Sequence, residues 1–259
     1  MGQAVVADAI DKYKGQPTKQ AQFLLNYMNF NVAVDGRMNQ EALNAILMIQ
    51  FCSGIRITGM IDIETLDAIR NYVAAGFTAD RIRTCFNEMT YSGSMLAFTQ
   101  SVNVGSINPI TLALIESMLE ECGQSKASIT SALRTPEDQA RAMFNNIART
   151  GANSQRSIYE ANGNAVIDIY VSGKAAGKTD AQILADMTAR IAATPEGVLS
   201  LHVVSQTTYD KKNIIDIGHS SLTDISAFFN TLNEYKERGI ISRVLVENGC
   251  YHIEIPMPK

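Results

Sequence analysis

The chain is poor in the residues that most often give a function away. Its 259 residues include four cysteines, Cys52, Cys85, Cys122 and Cys250, and no two of them form a CxxC pair. Neither a cysteine zinc site nor a disulfide framework is therefore expected, and the thiols read as reduced and mostly buried. The formal net charge is −4, so the basic surface that would attract nucleic acid is missing. No apolar run approaches the roughly 18 residues that cross a bilayer, which excludes a membrane anchor of that kind. The first residues, Met1-Gly2-Gln3-Ala4-Val5-Val6, lack a basic stretch followed by a longer apolar one, so no secretory signal is read there. The expectation is synthesis in a cytosol, with separate means of delivery if the protein works outside it.

What is present suits a globular chain. An apolar fraction of 46% against 19% charged residues is enough to build a core, and the length accommodates one large domain or two smaller ones. Histidine is scarce, with only three, and two of them stand in suggestive surroundings. His202 follows Ser200-Leu201, Asp216 lies in Ile214-Ile215-Asp216-Ile217, and His252 lies in Cys250-Tyr251-His252-Ile253-Glu254. Two imidazoles and a carboxylate, with a fourth position left to water, is a usual way of holding a catalytic zinc ion. His219, after Gly218 at a strand end, reads as an ordinary hydrogen-bonded histidine.

Residues 18–74 contain an internal repeat. Asp35-Gly36-Arg37-Met38-Asn39 leads into one helical pattern, and Thr58-Gly59-Met60-Ile61-Asp62 leads into another. Each copy is a glycine turn followed by an Asn or Asp suited to cap a helix. Helices are expected at about 20–30, 39–53 and 62–75. Residues 77–106 are mixed in composition and read as a linker, with Ile82, Phe86 and Met89 able to form a docking helix. From residue 107 the pattern becomes α+β. Helices are expected at 109–122, 136–149, 156–170, 179–193 and 222–238, with strands at 127–130, 198–204 and 213–217. Residues 241–247 and 251–255 alternate around Asn248-Gly249, a strong hairpin signal. The period of two places His252 and Glu254 on one face of the last strand.

Two resemblances follow from these segments. Val34-Asp35-Gly36, Met48-Ile49-Gln50-Phe51, Gly54-Ile55 through Thr58-Gly59, and Asp62 with Thr65 are similar to the peptidoglycan-binding domain of bacterial and phage cell-wall hydrolases. The usual order around Gln50-Phe51 is altered, and Thr58 stands where that family more often has Asp. Further on, Ile129-Thr130-Ser131 with Arg134-Thr135-Pro136, then Ser200-x-His202, Asp216-Ile217, and Glu247 ahead of Cys250-Tyr251-His252-Ile253 resemble zinc peptidases of the D-alanyl-D-alanine carboxypeptidase type, which include phage endolysins. Ala132-Leu133 replace that family's Gly-Tyr.

The resemblance implies a zinc ion held by His202, Asp216 and His252. It implies Glu247 as general base, with Glu254 in reserve, and Ser131 and Arg134 as residues that hold a carboxylate or carbonyl of the substrate. The fourteen residues between His202 and Asp216 exceed the family's interval, so Gln206 to Lys212 is expected to loop out, and Asp210 is the competing ligand. The implied architecture is a small three-helix wall-binding domain at 1–76, a linker at 77–106, and an α+β zinc peptidase with a small antiparallel sheet at 107–259. The implied function is cleavage of stem or cross-bridge peptides by a monomer whose partner is peptidoglycan, made in a host cytoplasm and acting on the wall. The alternative is a non-catalytic wall-binding or virion structural protein on a degenerate peptidase fold.

Overall fold

The computed structural model describes residues 1–247 and 249–259. In chain order come α1 (Gly2–Lys12), α2 (Pro17–Tyr27), α3 (Gln40–Ser53), α4 (Ile63–Ala74), α5 (Ala79–Glu88) and β1 (Leu96–Phe98). These are followed by α6 (Pro109–Glu121), β2 (Ala127–Ser131), α7 (Pro136–Thr150), α8 (Ala152–Arg156), α9 (Ala161–Ala175) and α10 (Asp180–Ala192). The chain ends with α11 (Gln206–Tyr209), β3 (Lys212–Gly218), α12 (Ile225–Glu237), β4 (Arg243–Glu247) and β5 (Cys250–Pro256). The class is α+β. Residues 77–106 hold α5, whose Ile82 and Phe86 are buried, and β1.

The strands form one sheet in the order β1-β2-β3-β5-β4. The pairs β2–β3 and β4–β5 are antiparallel. Backbone bonds from Ala127 N–H to the Met95 carbonyl and from Thr99 N–H to the Ile129 carbonyl advance in the same direction along both chains. β1 therefore runs parallel to β2, and the sheet is mixed. Asn248, half of the expected Asn-Gly turn, lies outside the described residues; the hairpin register on either side of it pairs Glu247 with Cys250.

The chain divides into two compact units, each assembled from separated stretches. The first comprises Met1–Ala97, Asn108–Ala127 and Gly218–Lys259. Within it the repeat has a physical basis that its sequence only half discloses. The expected caps are present, with Asn39 accepting from the Ala42 N–H and Asp62 from the Thr65 N–H. Each glycine turn is also gripped by a buried glutamine from the preceding helix. Gln22 accepts from the Gly36 N–H at 2.7 Å and donates to the Arg37 carbonyl at 2.7 Å. Gln50 accepts from the Gly59 N–H at 2.9 Å and donates to the Met60 carbonyl at 3.0 Å. The same amide satisfies the same two backbone positions in both copies. Gly36 and Gly59 have φ of 82° and 68°, in the left-handed region where glycine meets no steric penalty. At Gly59 a Cβ would also lie 2.8 Å from Leu43 and Ile240.

The second turn is fastened further. The Ile57 N–H donates to Ser117 Oγ at 3.0 Å, and Tyr235 Oη donates to the Ile57 carbonyl at 3.2 Å. Arg238 reaches Glu121 at 3.1 Å.

The second unit comprises Phe98–Ile107 and Ser128–Ile217. It contains the paired strands β2 and β3 and a helical layer, α7 to α10, built on Met143, Ile147, Val166, Ile167, Ile183 and Met187. α7 and α10 each begin with a capping box, Thr135 with Asp138 and Thr179 with Gln182, which satisfies two otherwise orphaned donors at each helix start. Val198 to Val204, expected as a strand, is instead a series of turns. The Val203 N–H bonds the Ser200 carbonyl, and the Gly197 N–H bonds the Val203 carbonyl, both at 3.0 Å. Local closure after Pro195, with Gly197 at φ 72°, uses donors that a sheet ladder would need.

The glutamine grip generates a stability prediction. Gln50→Leu removes the partner of two backbone N–H groups and leaves Thr65 Oγ1 without its donor, in a pocket where Gln50 is fully buried. Denaturant titration should show a loss of about 2–4 kcal/mol; an unchanged midpoint would remove the grip from the account.

Candidate metal centre

The site begins with an irregularity in β2–β3 pairing. Ile129 stands opposite Ile217, so an unbroken ladder would bring Ser131 opposite Ile215. A register shift intervenes, and Ser131 instead faces Asp216. An extra residue of this kind re-aims the side chains beyond it, and here the extra residue lies in β2 and brings Ser131 opposite Asp216. The carboxylate is mostly withdrawn from solvent, with 16% of its side chain exposed.

His202 arrives from the turns after α10. Its carbonyl accepts the Arg134 N–H at 3.0 Å, which ties the histidine loop to the segment following β2. The imidazole is buried, and Nε2 lies 3.0 Å from Asp216 Oδ2. His252 sits on β5 opposite Leu245 of β4 and is 1% exposed. The residues of β5 are buried without alternation, so both faces of this strand are covered.

His202, Asp216 and His252 each offer one ligand atom, and these atoms all lie within 4.8 Å of one another. Ligands about 2.0–2.2 Å from a tetrahedral metal stand roughly 3.3 Å apart. The His202–Asp216 separation is close to that value. Nitrogen and carboxylate donors, buried together, fit a divalent metal. This buried group can hold a metal ion.

The other residues singled out in the sequence fall at different distances from this group. Ser131, opposite Asp216, has a buried Oγ with no hydrogen-bond partner among the described residues. The Arg134 guanidinium donates to Gln139 Oε1 at 3.1 Å, and Gln139 in turn reaches Tyr159 Oη at 3.5 Å. Burial pushes the Tyr159 phenol up, against the opposing influence of Arg134 and Gln139. A Cβ at Gly163 would lie 2.5 Å from that of Tyr159, so the glycine makes room for the ring. Glu247 is exposed at the end of β4, on the hairpin face that carries His252. Glu254 is 5% exposed, with Oε1 3.7 Å from His252 Nε2 and 3.5 Å from Arg243.

Asp210 is exposed, accepts from Gln206 at 2.6 Å, and is not part of the group. The stretch from Gln206 to Lys212 does not loop out. Ser205 caps α11, whose Tyr209 is fully buried and donates to the Ile214 carbonyl at 3.1 Å. Burial raises the Tyr209 phenol well above its usual range, so it stays a neutral donor bracing β3. His219 is outside the group; its ring packs on Tyr251 with centroids 4.3 Å apart. The sequence reading missed Gln139, Tyr159 and Tyr209. Only Tyr209 carried a local signal, in the Ser205-x-x-Thr208 start of its helix.

Compared with known proteins, the chain matches no family model, no curated protein and no solved structure.

Elemental analysis after reconstitution should find about one divalent ion per chain. His252→Ala and Asp216→Asn should lose it, while Asp210→Asn and His219→Ala should keep it. A wild-type protein that stays metal-free in the presence of zinc, manganese and cobalt would end the metal reading.

Proposed function

We propose that the chain is a zinc-dependent peptidase acting on the stem or cross-bridge peptides of peptidoglycan. The observation that carries this reading is the convergence of His202, Asp216 and His252 in one buried group, the set that the sequence resemblance implies as zinc ligands. Zinc so held would lower the pKa of a bound water to about 7 and polarise a carbonyl.

The chain's own groups supply the rest. Arg134, braced by Gln139 and by the bond from its N–H to the His202 carbonyl, offers a cation to a substrate carboxylate. Ser131 offers a hydroxyl that no group among the described residues uses. Glu247, exposed on the hairpin face that carries His252, would take a proton from the attacking water and return it to the leaving amine nitrogen. Glu254, already engaged by Arg243, is less free to do so. The helical repeat would hold the enzyme on the wall and raise its local concentration at an insoluble substrate. The site of action is then the cell wall, with peptidoglycan as partner. Among the described residues no helix is long and apolar enough to cross a membrane.

A second reading, a wall-binding or virion structural protein without catalysis, is favoured by the fourteen residues between His202 and Asp216, an interval longer than the resemblance implies. Release of soluble peptide from purified wall by the zinc-loaded chain separates the two. Glu247→Ala should keep metal and sedimentation with wall but lose hydrolysis by about 10²–10⁴-fold. Full activity in that variant would shift the proton-transfer role to Glu254. Wild-type protein that binds wall and zinc yet releases nothing would favour the structural reading.

A further inference from the structure

The metal group leaves the cysteines unexplained, and two of them are placed together within the first unit. Cys52 is on α3 and Cys85 on α5, both half-buried and reduced. The two helices are held by Phe51 and Phe86, whose rings meet edge to face with centroids 5.7 Å apart. These are the residues next to the two thiols in sequence. Cys52 Sγ lies 3.7 Å from the Ile82 carbonyl oxygen. Ile82 is three residues before Cys85, on the same side of α5, so the Cys52 sulfur reaches the stretch of α5 that carries Cys85.

Cys85 is also open to the outside. Together with Phe77, Arg81, Thr84, Glu88 and Met89 it lines a cleft of about 380 Å³. The Arg81 guanidinium lies 4.0 Å from the centre of the Phe77 ring, which fixes a cation one helical turn from the Cys85 thiol. The remaining thiols are engaged elsewhere, Cys122 with the Leu119 carbonyl and Cys250 with that of Glu247.

We propose that Cys85 and Cys52 form a thiol–disulfide exchange site that takes an anionic low-molecular-weight disulfide of the glutathione type. Arg81 attracts the carboxylates of the reagent. The Cys85 sulfur, having lost its proton, attacks one sulfur of the reagent; the other departs as a thiolate and takes up a proton. Cys52 then loses its proton and attacks the Cys85 sulfur of the mixed disulfide, expelling the second small thiol. Two protein thiols are oxidised and one small disulfide is reduced to two thiols.

Burial holds the Cys52 thiol well above its usual range, so the closing step is slow at neutral pH and accelerates as pH rises. The product joins α3 to α5 and closes a loop running from Cys52 to Cys85. Such a bond restricts the unfolded chain, so oxidation secures the fold once the protein enters an oxidising medium.

The test uses the reduced, full-length chain and oxidised glutathione at mildly alkaline pH, read by thiol titration, intact mass and peptide mapping. The expected result is loss of two of the four thiols, a Cys52–Cys85 cross-linked peptide pair, and a higher thermal unfolding midpoint that dithiothreitol reverses. Cys52→Ser should stop at a chain carrying one glutathionyl group on Cys85, and Cys85→Ser should carry none at residue 52. The wild-type map decides the matter even if a variant fails to fold. Retention of all four thiols, a cross-link involving Cys122 or Cys250, or preferential glutathionylation at either of those residues would overturn the proposal.

Discussion

A carboxylate taken out of water needs compensation, and much of the second unit is arranged around that need at Asp216. An isolated ion in an apolar interior is too costly to persist. The response is assembled from ordinary parts. A bulge in β2 brings Ser131 opposite Asp216, a buried tyrosine braces β3, and a backbone bond from Arg134 ties down the loop that delivers His202 to within 3.0 Å. A divalent cation shared with His252 would complete this balance, since each donor then turns its lone pair to the positive charge. The same logic explains why the neighbouring acid, Glu254, is found with Arg243 beside it: two carboxylates close to the same imidazole pair require more than one cation.

The features legible in the sequence were those written locally. Glycine turns and the Asn39 and Asp62 caps specify α3 and α4 directly, because a cap needs only a residue and the helix three positions on. Thr135-Pro136 fixed the start of α7 in the same way. Identities at the metal group were also legible, since histidine is rare in this chain and each candidate stood in a distinctive tripeptide. Register was not. Nothing in Ile129-Thr130-Ser131 announces that the ladder will slip by one residue, because the slip is a property of two strands separated by eighty-odd positions. The turn at Val198 to Val204 was misjudged for a related reason. Apolar β-branched residues suit a strand, but Gly197 and Pro195 allowed the chain to satisfy its donors within itself. The compact units, each made of separated stretches, likewise lie beyond any scan of composition along the chain.

The helical layer of the second unit bears on the site through one route that the geometry makes explicit. Gly163 opens the space occupied by Tyr159, Tyr159 meets Gln139, and Gln139 accepts from Arg134. The side chain that would face a substrate is thus fixed by helix packing, not by the sheet. Arginine has a flexible stem, and a bond at its terminal nitrogens removes rotamers before any ligand arrives, which reduces the entropy lost on binding.

The paired glutamines, Gln22 and Gln50, touch the main chain of their turns at equivalent atoms, yet they stand fourteen and nine residues ahead of the glycines they grip. The repeat is therefore a unit of architecture whose grammar is written in peptide groups. It asks for an amide, a glycine and a capping side chain, and it leaves the words between them open to substitution and to change in length. Two copies can drift until little but those three letters is shared and still dictate the same bend.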